Sequence, residues 1–107
     1  MALFSLAVVS LPSRENVSMA TTFIRHTVSH YKAWRKVYDD VSPVQKAEGV
    51  TAQAVYQAAD NPNDITVTHE FGSVQAAQAF AKSDELKKAM QRAGVVGAPT
   101  IWFANKV

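Results

Sequence analysis

Between Thr21 and Val41 the spacing of apolar side chains changes from a two-residue to a helical rhythm within one step, and that switch constrains the fold more than any other feature. In Thr22-Phe23-Ile24-Arg25-His26-Thr27-Val28, the apolar Ile24 and Val28 alternate with Arg25 and Thr27, as a strand covered on one face requires. From Tyr31 onward, Tyr31, Trp34, Val37, Tyr38 and Val41 form one stripe of a helix, and Lys32, Arg35, Lys36, Asp39 and Asp40 occupy the opposite arc. The chain opens as strand, then helix.

Ser29 lies between the two, where a short side-chain oxygen can accept from the free amides of a first helical turn, so it is the expected N-cap. The helix should begin near His30 and end around Val41 and Ser42, because Pro43 disfavours helical geometry in the residue before it. A further turn through Val44 to Glu48 can follow before Gly49 stops it. Val50 to Ala58 reads as a second strand. Asp60-Asn61-Pro62-Asn63-Asp64 is the strongest turn signal and joins it to an antiparallel third strand, Ile65 to Phe71, with Ile65, Val67, His69 and Phe71 on one side. After Gly72 the pattern is helical from Ser73 to Lys82, with Val74, Ala77, Phe80 and Ala81 inward. Ser83-Asp84-Glu85 marks a fresh start, Leu86, Ala89, Met90 and Ala93 the buried stripe, and Gly94 the end. Gly94 to Pro99 is expected as loop and Thr100 to Ala104 as the last strand.

The order strand, helix, strand, strand, helix, strand is the α+β, ferredoxin-like split βαβ arrangement, in which helices cover one face of a four-stranded antiparallel sheet. The other face carries Phe23, Arg25, Thr27, Thr66, Thr68, Glu70 and Trp102; it is only half polar and wants a partner. Arg25 and Glu70 are expected to pair there.

A chain of 107 residues, 48% apolar with two Trp, three Tyr and five Phe, can build one filled core and has no room for a second domain. Net charge is only +2 and the basic residues are scattered among acids, which argues against a nucleic acid partner. Cysteine is absent, removing disulfides, thiolate catalysis and Cys-ligated metals together, and fits a reducing, cytoplasmic setting. Residues 1–18 read as an extension outside the core, or as the product of a start codon upstream of the real one at Met19, leaving one domain over 19–107. The apolar run Ala2 to Val9 falls far short of the roughly 20 residues that span a bilayer, and neither a basic n-region nor a small-x-small cleavage site marks a signal peptide. No membrane association is expected.

Several segments together resemble a known group: His26-Thr27-Val28-Ser29-His30-Tyr31-Lys32-Ala33-Trp34, Asp60-Asn61-Pro62-Asn63, Ala76-Ala77-Gln78-Ala79-Phe80, and Met90-Gln91-Arg92-Ala93-Gly94-Val95 before Pro99. On these, Thr21 to Val107 is similar to the dimeric α/β-barrel superfamily, to which the antibiotic biosynthesis monooxygenase-like domains belong. The resemblance implies a homodimer in which two sheets pack face to face, with a cavity between each sheet and its own helices. It does not choose among cofactor-free monooxygenases, polyketide cyclases, lactone isomerases and haem enzymes. The Asn and Trp arrangement of quinone-forming members has no counterpart by position, since Asn61 and Asn63 fall in a turn and Asn105 at the tail.

Strand parity supplies the candidate chemistry. If Ile24 and Val28 face the helices so does His26, and if Ile65, Val67 and Phe71 do, His69 joins it. Both rings would lie under Trp34 and Tyr38, with Phe80 and Met90 closing the far wall. A neutral imidazole there can take a proton from an acidic carbon or a phenol. The same histidines serve equally as core residues hydrogen-bonded to a hydroxyl or carbonyl. A metal would need a third ligand, and Glu70, the nearest acid, points away. The first expectation is a cofactor-independent enzyme of cyclase or isomerase type acting on a small apolar or aromatic molecule, with His26 and His69 as acid and base and Trp34, Tyr38, Phe80 and Met90 holding substrate. The alternatives are an oxygenase in which substrate itself reduces oxygen, and a non-catalytic ligand-binding or stress-related dimer.

Overall fold

In the computed structural model, which describes residues 19–107, β1 (Ala20–Val28) is the inner strand on which the rest is assembled. It pairs antiparallel with β3 (Asn61–Phe71) on one side and with β4 (Val95–Asn105) on the other, and β2 (Val50–Ala58) flanks β3, giving the sheet order β2-β3-β1-β4. Between β1 and β2 run α1 (Tyr31–Asp40) and α2 (Ser42–Ala47); between β3 and β4 run α3 (Val74–Ala81) and α4 (Asp84–Arg92). This is the ferredoxin-like α+β fold expected from the order of elements. The expectation for residues 1–18 lies outside the described residues.

Two-residue periodicity decides which face is covered. Ala20, Thr22, Ile24, His26 and Val28 of β1 are buried, as are Ile65, Val67, His69 and Phe71 of β3, while the residues between them are half-buried or exposed. Against this face α1 places Trp34 and Tyr38, α3 places Ala77 and Phe80, and α4 places Ala89, with Ala93 just beyond its end. Burying each large apolar side chain contributes roughly 1.5–3 kcal/mol. The core has two parts: one holds Val28, Trp34, Tyr38, Ile65, Val67 and Ala93, the other Ala20, Phe71, Ala77 and Phe80. The His69 ring joins them, lying against Tyr38 of the first part and Phe80 of the second.

Ser83 caps α4 as expected, accepting through its hydroxyl from Leu86 N at 3.2 Å, and Ser73, expected as the first helical residue, instead caps α3 by accepting from Ala76 N at 3.1 Å. Ser29 does not cap α1. Its amide donates to the Gly94 carbonyl at 3.0 Å, which fixes it one residue too early, and His30 takes the cap position without a side-chain bond. The free amide of Tyr31 is instead satisfied from across the molecule by Asn63 Oδ1 at 3.2 Å. A long-range cap leaves no local sequence signature.

Three further expectations are corrected. The turn before β3 occupies only Ala59 and Asp60, and Asn61 to Asp64 already belong to the strand: Ala58 is opposite Asn61, and Pro62, whose carbonyl accepts from Gln57 Nε2, is tolerated at the register shift between Gln57 and Ala58, beyond the pairing with β1 that ends at Asp64. Gly94 to Pro99 is not a loop throughout. Val95 and Val96 pair with Val28 and Thr27, and a β-bulge near Gly97 (φ +75°) absorbs the residues before Thr100 rejoins the ladder at Arg25. Arg25 does not pair with Glu70 either. Glu70 stands opposite Thr21, about 13 Å along the strand from Arg25 at 3.3 Å per residue, whereas Asp64 offers both carboxylate oxygens to the guanidinium at 3.1 and 2.7 Å.

Candidate active site

A hollow lies between the inner sheet face and the helices. Ile24 and His26 of β1 and Val67 and His69 of β3 form its floor; Trp34, Val37, Tyr38 and Val41 its first side; Leu86, Ala89, Met90 and Ala93 its second; Gln45 of α2 closes one end. Its volume is about 40 Å³. At roughly 10–15 Å³ for each water on this measure, that admits a few waters or dioxygen, whereas an apolar cavity that holds benzene is about 150 Å³.

His26, Trp34, Tyr38, His69 and Met90 are thus brought together. Phe80 stands off the cavity itself: its ring meets His69 edge-on at 5.2 Å between centroids, and it lines the adjoining groove. Because Trp34 and Tyr38 are one helical turn apart they stack, with centroids 4.9 Å apart and planes 16° from parallel. His26 meets the Trp34 ring at 5.8 Å and a steep angle, and Tyr31 continues the stack outward at 6.0 Å.

The polar atoms in this apolar setting divide into two sets. The Tyr38 hydroxyl donates to Gln53 Oε1 of β2 and lies 3.1 Å from His69 Nε2. With its own proton directed at Gln53, the hydroxyl accepts from Nε2, so the proton of the neutral ring is assigned to Nε2 and Nδ1 is left as a bare lone pair. That Nδ1 has no hydrogen-bond partner, nor have Gln45 Oε1 and both ring nitrogens of His26, although all are buried. Each unsatisfied buried group costs roughly 1–3 kcal/mol. Thr22 Oγ1 is a further orphan in the floor of the sheet.

Electrostatics keeps the rings neutral. Burial lowers His69 from the ordinary imidazole value to about 4. It also lowers His26, with the Asp64 carboxylate opposing the shift from the edge of the sheet. Burial pushes the Tyr38 hydroxyl up to about 12, against the pull of the Arg35 guanidinium, which lies 5.6 Å from the ring centre. The cavity therefore offers two uncharged bases and no buried counter-ion for a protonated product. Among the described residues, no group of three His, Cys, Asp or Glu side chains is placed to hold a metal, and no helix is long and apolar enough to cross a membrane.

Gln45 and Gln53 escaped sequence reasoning. Gln45 follows a proline at the start of a short helix and carries no periodic signal, and Gln53 sits on an edge strand among alanines, where only the aim of Tyr38 reveals its part.

A ferredoxin-like sheet with an aromatic and histidine-lined hollow beneath its helices defines a member of the α+β class. Residues 19–92, most of the chain, match the antibiotic biosynthesis monooxygenase family, and the chain belongs to it. No curated protein matches by sequence. Among solved structures, a Bordetella bronchiseptica protein assigned to the antibiotic biosynthesis monooxygenases superposes with a TM-score of 0.73 at 14% identity, over 84% of this chain and 98% of its own. SnoaB, a cofactor-independent oxygenase from Streptomyces nogalater, gives 0.65 at 13% identity over 84% and 96%. The Streptomyces coelicolor monooxygenase from the gene ActVA-Orf6, in complex with Nanaomycin D, gives 0.62 at 18% over 86% and 90%. At these identities the likeness establishes the fold.

Proposed function

We propose that this protein is a cofactor-independent oxygenase of small aromatic molecules and that His26 is its base. One observation carries the reading: an imidazole facing an aromatic cavity with neither nitrogen hydrogen-bonded, an arrangement that costs stability unless a ligand completes it. The cyclase or isomerase chemistry expected first would use the same base. The oxygenase is preferred because the family and the two functionally described neighbours carry that chemistry.

The reaction requires a substrate whose carbon acid is activated by a phenol or adjoining ring. Neutral His26 removes a proton from the ring-activated methylene, and the resulting carbanion passes one electron to dioxygen. The two radicals recombine as a carbon–oxygen bond, the peroxide takes up a proton, and loss of water leaves a ketone: R2CH2 and O2 give R2CO and H2O, with no external reductant. The imidazolium returns its proton to the peroxide. His69, with Nδ1 bare and held by Tyr38, is suited to accept a hydrogen bond from substrate, and its low pKa makes it the weaker base of the two. Trp34 and Tyr38 supply flat apolar walls, and Met90 an adaptable one. The working unit is a homodimer through the open sheet face, where Phe23 and Trp102 stack at 5.2 Å and Tyr56 is 57% exposed.

Oxygen uptake on a panel of anthrones, which carry such a methylene, tests this, using labelled dioxygen to follow one atom into the product. His26→Gln should lower the rate about 10²–10⁴-fold, the usual worth of a positioned base, with little change in melting temperature. Turnover that is unaltered in His26→Gln, or that continues without oxygen, removes the proposal.

A further inference from the structure

Three hollows meet at Gln45. Its side chain lines the inner cavity with His26 and His69, the groove outside it between α2 and α4, and a shallow depression against the start of β2. It is only 4% exposed, yet Oε1 has no hydrogen-bond partner. The Gln45 amide also faces the Tyr38 hydroxyl, whose pKa it helps to hold down against burial, but Oε1 is left over. A side chain kept for packing alone would be better as leucine or methionine, which fill the same space with no acceptor to desolvate.

The groove beyond Gln45 measures about 140 Å³ against about 40 Å³ inside, and Val41, Gln45, Leu86 and Ala89 belong to the walls of both. Leu86, half-buried at the start of α4, and Gln45 are the flexible members of that shared wall. With Leu86 turned aside and Gln45 kept in place, the inner cavity and the groove would join into one slot larger than either alone. The outer wall also carries Lys88 and Arg92, one turn apart on α4, and the single acid Glu85. Among the described residues neither cation is in a salt bridge. The slot thus has a buried acceptor at its waist and net positive charge at its mouth.

The geometry points to Gln45 as the specificity-determining residue of this site and to an elongated phenolic aromatic acid as the class of molecule it selects. The phenol hydroxyl donates to Gln45 Oε1 as the ring passes the waist, the next ring lies against Trp34 and Tyr38 facing His26, and the carboxylate remains outside at Lys88 and Arg92. This rests on the reading of the cavity as a substrate site given above.

The test is calorimetric titration of the full chain with a hydroxynaphthoic acid, its methyl ester, and the naphthoic acid lacking the hydroxyl. For the native chain the hydroxyl should strengthen binding on the order of tenfold, the effect of leaving a buried acceptor unpaired, and the free acid should bind several-fold tighter than its ester in a manner that fades with salt. Gln45→Leu should abolish the hydroxyl preference and keep the acid preference; Lys88→Ser with Arg92→Ser should do the reverse. Because each comparison is between ligands within one variant, a general loss of stability does not imitate it. Gln45→Met repeats the test in an unbranched side chain if Gln45→Leu does not fold. A hydroxyl preference that survives in both Gln45 variants overturns the assignment, as does native protein that binds all three alike, which leaves the cavity reading standing. Native protein that binds none of them overturns both.

Discussion

His69 Nε2 lies 3.1 Å from the Tyr38 hydroxyl, and the two rings are 9° from parallel. The contact is internal to the site and also ties α1 to β3, while the Tyr38 hydroxyl donates to Gln53 Oε1 of β2. Tyr38→Phe keeps the ring stack but strands the buried Nε2 donor. Denaturant unfolding should register a loss of about 1–3 kcal/mol, the cost of an unsatisfied buried group. A change under 0.5 kcal/mol would mean that Nε2 has another partner in solution.

The low pKa of His69 makes stability depend on pH with a definite sign. In the unfolded chain the ring titrates near 6.5; in the fold it resists protonation until about 4. Between these values the unfolded state binds the extra proton, so stability is fully present above about pH 6.5 and falls as pH drops toward 4, by up to about 3 kcal/mol from a shift of this size. His26 acts in the same direction, its lowered pKa placing its loss below the same upper limit. Urea midpoints at pH 7.5 and 4.5 should therefore differ for the native chain, with a smaller difference in His69→Gln. Equal differences in the two would show that His69 is protonated in the fold.

How much of this was legible beforehand follows from the range of each interaction. The inward turn of His26 and His69 was readable because strand parity is local, and Ile24, Val28, Val67 and Phe71 carry it unambiguously. The cap Ser83 was readable for the same reason. What misled were contacts that close only after the chain has folded. Asn63 satisfies Tyr31 across 32 residues, Asp64 rather than Glu70 meets Arg25 because of the β1–β3 register, and Val95 and Val96 enter the sheet because a bulge absorbs Gly97 to Pro99. Gln45 acquires its place in the site in the same way, through packing of α2 against α1 and β2.

Gly94 is the pivot on which β4 is delivered to β1. Its φ is +79°, and a Cβ there would lie 2.7 Å from Ser29 Oγ. The left-handed conformation costs a non-glycine residue about 1–2 kcal/mol, whereas the clash can be relieved by rotating a serine hydroxyl. Gly94→Ala should accordingly lose 1–2 kcal/mol, or roughly 4–8 °C of melting temperature per kcal/mol in a domain of this size. Adding Ser29→Gly should recover only a minor part. Full recovery in the double variant would assign the cost to the contact and not to the backbone.

The open face of the sheet bears on assembly. Phe23 of β1 and Trp102 of β4, cross-strand partners, stack at 5.2 Å and 6°, and Trp102 remains 43% exposed, with Tyr56 further along the same sheet at 57%. Flat aromatic surface left in water is unfavourable in a lone protomer, and the Arg25–Asp64 ion pair beside it gives the face polar groups that can fix a partner's orientation. If a second copy covers this face, Trp102→Glu introduces two like charges into one buried centre, one from each protomer. Light scattering should then find dimer in the native chain and monomer in Trp102→Glu, and the melting temperature should rise with protein concentration in the native chain alone. A Trp102→Glu variant that remains dimeric would move the interface elsewhere, and the exposed aromatic pair would need a different occupant.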